Sequence, residues 1–206
     1  MITVIKSPFV QYKLTILRNK KTSNTVFRQT MNEISYLIAS DVLQYVPFKK
    51  QTIETPLKKM SGTALGQPII LVPILRAGLG LLEGFAKFLP EAEKGHIGLY
   101  RDEQTYEPVE YLFKLPRVKN KKVLILDPML ATGNSSIAAI NLVKNKGVNV
   151  KDIFLVSLLA APEGIKNIQK KQKGIHIFTC NIDVKLNKNK FIVPGLGDAG
   201  DRYMGT

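Results

Sequence analysis

Nearly continuous apolar runs alternate along this chain with stretches whose apolar residues recur every three or four positions. Four runs stand out, at 69–72, 123–126, 153–159 and 175–180. Short apolar runs bounded by polar or glycine-containing segments predict strands buried on both faces, as in a parallel sheet. Between them lie helical patterns. Phe27, Met31, Ile34, Ile38, Val42 and Tyr45 form one stripe, which starts after capping candidates at 23–25 and stops at Pro47. Leu81, Leu82, Phe85 and Phe88 form a second, ended by Pro90. Ile137, Ile140 and Val143 form a third, running from N-cap candidates Ser135 and Ser136 to Gly147. Ile165 and Ile168 mark a short fourth, with Pro162 and Glu163 suited to its first turn. The alternation predicts an α/β fold on a parallel sheet.

Other stretches depart from this rhythm. Residues 1–20 carry Pro8, a scatter of apolar residues and then Arg18, Asn19 and Lys20, and read as a surface wrap or a contact with a partner subunit. Residues 48–67 read as an irregular or edge segment. A strand over 95–101 and the alternation of Val109, Tyr111 and Phe113 with Glu110, Leu112 and Lys114 predict a two-stranded arm whose tip could serve as a lid. Residues 181–193 are polar and end in Phe191, Ile192 and Val193. The glycine-rich 194–201 reads by composition as a flexible end. Against that, the apolar run before it can anchor it, and its glycines expose backbone groups that could read a flat base.

The 206 residues suffice for one domain with a buried core, and a 45% hydrophobic content argues against disorder. The single cysteine, Cys180, excludes an internal disulfide framework and a cysteine-based zinc site, and reads as core. No apolar stretch suits a signal peptide or a membrane span, so a cytoplasmic location is expected. The net charge of +14 raises the question of nucleic acid. The lysines are scattered among Asn and Gln without interleaved aromatics, which points instead to solvated surface. His96 and His176 have no partners at metal-ligand spacing, and His176 reads as structural.

Chemistry concentrates after the run at 123–126. Asp127 ends the strand, a loop of small and polar residues follows, and then the third helix begins. Free N–H groups and the dipole at a helix N-terminus favour an anion. Thr132, Ser135 and Ser136 can add hydroxyl donors. Asp127 would be repelled by phosphate, so it should face hydroxyls, a metal ion or a proton in transit; a ribose phosphate would satisfy both parts. The alternative is that Asp127 merely caps a turn. Arg76 lies just past the strand at 69–72, between apolar residues, where a charge calls for an anion or an internal salt bridge.

The stretch Asp-Pro-Met-Leu-Ala-Thr-Gly at 127–133 resembles the phosphoribosyl pyrophosphate (PRPP) motif of type I phosphoribosyltransferases, in the version found in uracil phosphoribosyltransferases. Val-Pro-Ile-Leu-Arg-Ala-Gly-Leu-Gly at 72–80 and Pro-Gly-Leu-Gly-Asp-Ala-Gly-Asp at 194–201 resemble two further stretches of that family, in the same order. The resemblance implies a parallel-sheet type I phosphoribosyltransferase core with helices on both faces, a β-arm and a small C-terminal hood at about 181–206, all in one domain spanning 1–206. It implies transfer of phosphoribose from PRPP to uracil, giving UMP and pyrophosphate. PRPP would meet Arg76, Arg101, Asp127, Pro128, Met129, Leu130, Ala131, Thr132, Gly133, Asn134, Ser135 and Asp198. Uracil would meet Ile192, Gly197, Asp198 and Ala199, and Asp127 and Asp198 would be the catalytic carboxylates. Mg²⁺ is the implied cofactor, held through the substrate and not by direct protein ligands. A homodimer or larger homo-oligomer is implied, with no nucleic-acid or membrane partner. GTP binding and allosteric control also belong to the resemblance, and no residue in the sequence locates them.

One departure concerns Asn134, where the family usually has a second glycine. Asn tolerates a positive φ if that position needs one; if the glycine instead clears space for phosphate, binding is weaker. Two other readings stay open. One is a nucleotide-sensing or RNA-binding regulator on the same fold, motivated by the charge. The other is an enzyme for a purine or orotate; orotate would need an extra cation in the base pocket, and only Arg202 lies near.

Overall fold

The computed structural model describes residues 1–101 and 108–206, with the side chain of Arg101 outside the description. The elements in chain order are β1 (Ile2–Val4), α1 (Pro8–Arg18), α2 (Asn24–Leu43), β2 (Phe48–Glu54), β3 (Lys59–Leu65), β4 (Ile69–Leu75), α3 (Leu79–Phe88), β5 (Glu93–Lys94), β6 (His96–Arg101) and β7 (Pro108–Lys114). They continue with β8 (Lys122–Leu126), β9 (Met129–Leu130), α4 (Asn134–Asn145), β10 (Ile153–Ala160), α5 (Pro162–Lys171), β11 (His176–Ile182), β12 (Lys185–Leu186), β13 (Ile192–Val193) and α6 (Ala199–Met204). The main sheet runs β1-β11-β10-β8-β4-β6-β7, with β5 beside β4 and β9 beside β10. All its pairings are parallel except β6 with β7.

The continuous apolar runs have a simple use. Successive strand side chains point to opposite faces, and both faces are covered. Leu71, Leu124, Val156 and Phe178 meet the apolar sides of α1, α2 and α3, through residues such as Leu14, Phe27 and Phe85. Ile70, Val123, Leu155 and Ile177 meet α4 and α5, through Ile137, Ile140, Ile165 and Ile168. Each such side chain, fully buried, contributes roughly 1.5–3 kcal/mol.

The chain order reverses at the centre of the sheet. From β4 it proceeds outward to β6 and β7, and from β8 outward the other way to β10 and β11. The carboxyl ends of β4 and β8 therefore flank a switch point, where open α/β sheets leave a crevice for ligands. Arg76 and Asp127 follow those two strand ends.

Several expectations need correction. The N-terminal residues do not merely wrap the surface: β1 pairs with β11, and α1 buries Val10, Leu14 and Leu17. Residues 48–67 are not irregular but hold a regular antiparallel hairpin of β2 and β3, with no buried residue in either strand. The arm of β6 and β7 forms as expected, and its tip lies outside the described residues. The glycine-rich end is not a loose tail. Ile192, Leu196, Ala199 and Tyr203 join the core above α2 and α3.

Cys180 and His176 are structural, as their patterns predicted. Cys180 is fully buried, and burial pushes its thiol up to about 12. His176 stacks on Phe178 with ring centroids 4.0 Å apart, and burial, with the chain's amino terminus and Lys122 adding to it, pushes it down to about 4. Among the described residues no helix is long and apolar enough to cross a membrane.

Candidate active site

The end of β8 delivers Asp127 into the loop that leads to α4. Its N–H donates to Val156 O at 3.0 Å, which ties it to β10. Its carboxylate accepts from Ser136 Oγ at 3.0 Å and from the N–H of Met129. Burial pushes the carboxyl up to about 6, and the two hydrogen bonds oppose this only in part. Gly133 caps α4 with φ 82°. A Cβ on it would lie 3.0 Å from Gly164 O, so glycine serves both the turn and the close approach of α5. Asn167 on α5 clasps the loop: its Nδ2 donates to Thr132 O at 2.9 Å and to Asn134 Oδ1 at 3.0 Å. The positive φ thus falls on Gly133, while Asn134 begins the helix. Ser135 and Ser136 are not the caps but lie in the first turn, where Ser136 serves Asp127 instead.

The end of β4 delivers Arg76 through a cis Leu75–Arg76 peptide. The loop packs against the end of β8 so tightly that a Cβ on Gly78 would stand 2.5 Å from Leu126 O. Arg76 Nη2 donates to Asp201 Oδ1 at 3.1 Å, with both side chains about half exposed. Arg76 is therefore paired, as one sequence reading allowed, and also open to the crevice.

The third contributor is residues 194–199, after the cis Val193–Pro194 peptide. Two arginines hold this segment by its carbonyl groups. Arg18 Nη1 donates to Gly195 O at 2.8 Å, and Arg202 Nη1 to Leu196 O at 2.7 Å. Arg18 also forks onto Asp183, with Nη1 2.8 Å from Oδ2 and Nη2 2.6 Å from Oδ1. Asp183 Oδ2 accepts in turn from the N–H of Gly195 at 2.8 Å. Burial would raise the Asp183 carboxyl; the bonds from Arg18, Gly195 and Asn181 outweigh it and hold the group below its ordinary value. Asp198 caps α6, its Oδ1 accepting from Asp201 N–H at 3.0 Å.

These pieces enclose one crevice with two lobes. A lobe of about 250 Å³ is lined by Asp127 and 131–136. A lobe of about 540 Å³ is lined by Tyr100, Tyr111, Ile192 and 197–200. Leu75, Arg76, Ala77, Leu99, Met129, Ala131 and Lys190 line both. A small polar cradle at a helix N-terminus thus opens into a wider, more apolar space walled by peptide groups. That arrangement can take an anion joined to a flat ring.

A family model described as uracil phosphoribosyltransferase matches residues 4–206. The chain belongs to the uracil phosphoribosyltransferase family. The uracil phosphoribosyltransferase of Finegoldia magna is 49% identical over 207 residues, covering 100% of this chain and 98% of its own. That of Lactococcus lactis is 46% identical over 205 residues, covering 98% and 97%. A solved structure of the AQ2163 protein from Aquifex aeolicus superposes with a TM-score of 0.92 at 36% identity, covering 98% of this chain and 97% of that one. A hypoxanthine-guanine phosphoribosyltransferase from Bacillus anthracis, at 10% identity and TM-score 0.51 over 78% of this chain and 80% of its own, shares the fold alone.

Of the residues that the family resemblance singled out, Arg76, Asp127, Met129, 131–135, Ile192 and 197–199 come together around the two lobes. Pro128 and Leu130 are placed otherwise. Both are buried, and their carbonyls accept from Leu158 and Leu159 and from Ala161. The side chain of Arg101 lies outside the described residues. Sequence reasoning missed three others. Asn167 gave no signal, being one polar residue on a short helix. Asp201 stood in a matched stretch without a role. Lys190 is one of the scattered lysines among Asn and Gln that read as solvated surface.

Proposed function

We propose that this family member transfers the phosphoribosyl group of PRPP to uracil, giving UMP and pyrophosphate. What supports the reading most is the joining of two lobes of different character through walls that both share, Arg76 and Ala77 among them. The sugar's phosphate would sit against the amides and hydroxyls at 132–136, where the helix dipole favours negative charge. Asp127 would accept from the ribose hydroxyls. Arg76, and Arg101 from the arm, would face the departing pyrophosphate. The peptide groups of Gly197, Asp198 and Ala199 would read the alternating C=O and N–H edge of uracil, with Ile192 against the ring.

The bond from C1 of ribose to pyrophosphate breaks while N1 of uracil attacks C1 and loses its proton. Positive charge grows on the sugar and negative charge on the leaving group, so the work is mainly electrostatic. Among the described residues, Asp127 and Asp198 are the carboxylates lining the crevice. Two carboxylates beside a polyphosphate suit Mg²⁺, which keeps substrate oxygens and waters as its main ligands. When bound, the ion would neutralise charge on the departing pyrophosphate.

Incubation with PRPP, Mg²⁺ and uracil should yield UMP and an equal amount of pyrophosphate. No UMP across several pH values and divalent ions rejects the reading. Cytosine, whose edge has a different donor and acceptor order, should be turned over slower by about 10⁴-fold, since mismatched polar groups are left unpaired.

A further inference from the structure

Lys190 stands on the turn that joins β12 to β13, in the left-handed region with φ 64°. Few non-glycine residues adopt that conformation, and glycine does so without steric cost. The turn is held firmly. Asn187 O accepts from Lys190 N–H at 3.0 Å, and Asn187 Oδ1 accepts from Phe191 N–H at 2.9 Å. The hairpin is tied to the start of α5 by Leu186 N–H donating to Glu163 Oε1 at 3.0 Å. A lysine is thus carried on a fixed turn to a place where it lines both lobes of the crevice.

The described lining of the crevice carries as many carboxylates as cations. Among the described residues, the crevice is lined by two cations, Arg76 and Lys190, and two carboxylates, Asp127 and Asp198. Arg76 is paired with Asp201, and Lys190 lies in the field of the exposed Glu163 carboxylate, so each cation has an acidic neighbour that solvent screens. A sugar carrying a phosphate and a pyrophosphate brings several negative charges.

We infer that Lys190 is a substrate-binding cation, whose ammonium meets the pyrophosphate arm of PRPP where the two lobes join. The inference rests on the proposed function and adds to it a residue outside the three matched stretches. The ammonium is a compact charge with three donors on a flexible stem. It can follow pyrophosphate oxygens as they leave, while the backbone beneath stays fixed by Asn187.

The test separates the charge from the turn. Lys190→Gly relieves the left-handed backbone, so the variant should fold with an unchanged or higher Tm. Its KM for PRPP should nevertheless rise about tenfold, the order expected for one charge-assisted hydrogen bond. KM for uracil should stay within about twofold, and the salt dependence of PRPP binding, measured by calorimetry with Mg²⁺ present, should flatten. Lys190→Arg should keep most of the affinity. Unchanged PRPP affinity in Lys190→Gly overturns the inference, as does an equal loss in Lys190→Arg or a rise confined to the KM for uracil. Arg76→Met serves as the reference. If it weakens PRPP while Lys190→Gly does not, only the inference about Lys190 fails. If neither variant weakens PRPP, the reading of the crevice fails with it.

Discussion

The guanidinium of Arg76 lies 3.1 Å from the Asp201 carboxylate, joining the loop after β4 to helix α6 at the chain's end. Thr206 Oγ1 donates to the same Asp201 oxygen at 3.2 Å. Both partners of the ion pair are about half exposed, so the pair adds roughly 0–1 kcal/mol to stability. On the proposed reading its effect on anions is larger, because pyrophosphate would compete with Asp201 for the same fork. Asp201→Asn should therefore leave Tm within a few degrees and lower the inhibition constant of pyrophosphate by about threefold to tenfold. A rise in that constant would mean that Asp201 holds Arg76 ready and does not restrain it.

The half-buried Asp127, whose carboxyl lines the smaller lobe, makes a prediction about pH. Its folded value, about 6, stands above the ordinary carboxylate value of 3.8. The stability gained from the neutral carboxyl is then complete below about pH 4 and lost as pH rises through 6. Above pH 6 the ligand-free protein carries a constant cost of on the order of 1–3 kcal/mol. Asp127→Asn should match the parent's Tm at pH 4 and exceed it by about 2–10 °C at pH 8. Thermal melts across that range check the sign. The same variant should lose PRPP turnover at every pH, since an amide accepts ribose hydroxyls more weakly than a carboxylate.

These two sites differ in how far they could be read from the residues. The cradle at Asp127 is local. An apolar run, a carboxylate, small residues and a helical stripe are contiguous, and both periodicities survive folding because each strand and helix buries the face that its pattern marks. The pair of Arg76 and Asp201 spans 125 positions, and no local pattern encodes it. The same reason hides β1, whose partner β11 lies at the far end of the chain. Hairpin β2–β3 was missed for another cause: neither face is buried, so nothing imposes alternation. The tail's composition pointed to flexibility because its anchors are four separated residues, Ile192, Leu196, Ala199 and Tyr203, that meet a core built elsewhere. The apolar run before it and its exposed peptide groups hinted at an anchored, base-reading segment, and the family resemblance added which residues would meet the base.

Asp198 has two duties that substitutions can divide. It lines the wider lobe and caps α6 through the N–H of Asp201. Asp198→Ala removes both the cap, at about 1 kcal/mol, and the charge. Asp198→Asn keeps the cap and removes only the charge. If the carboxylate acts on substrate, both variants should lose nearly all turnover while Asp198→Asn keeps the parent's Tm. Near-normal rates in Asp198→Asn, with loss only in Asp198→Ala, would assign Asp198 to the cap alone.

The fork between Arg18 and Asp183 holds the segment leading to Gly197 from both sides, one partner on its carbonyl and the other on its N–H. The Asp183 side chain is 1% exposed and that of Arg18 22%, so removal of either charge leaves the other poorly solvated. Asp183→Asn should cost on the order of 3 kcal/mol of stability. Because the carboxyl is held below its ordinary value, the contribution is present at neutral pH and fades as pH falls below about 4. The functional loss should be one-sided. Gly195 and Leu196 set the direction in which the next three residues present their peptide groups, whereas the cradle at 132–136 hangs from β8, α4 and α5. KM for uracil should rise about tenfold or more in Asp183→Asn, with KM for PRPP nearly unchanged. Arg18→Lys, which keeps the charge but loses the fork, should fall between. Equal rises in both constants, measured at a temperature well below Tm, would show that the clamp supports the whole crevice and not the base segment in particular.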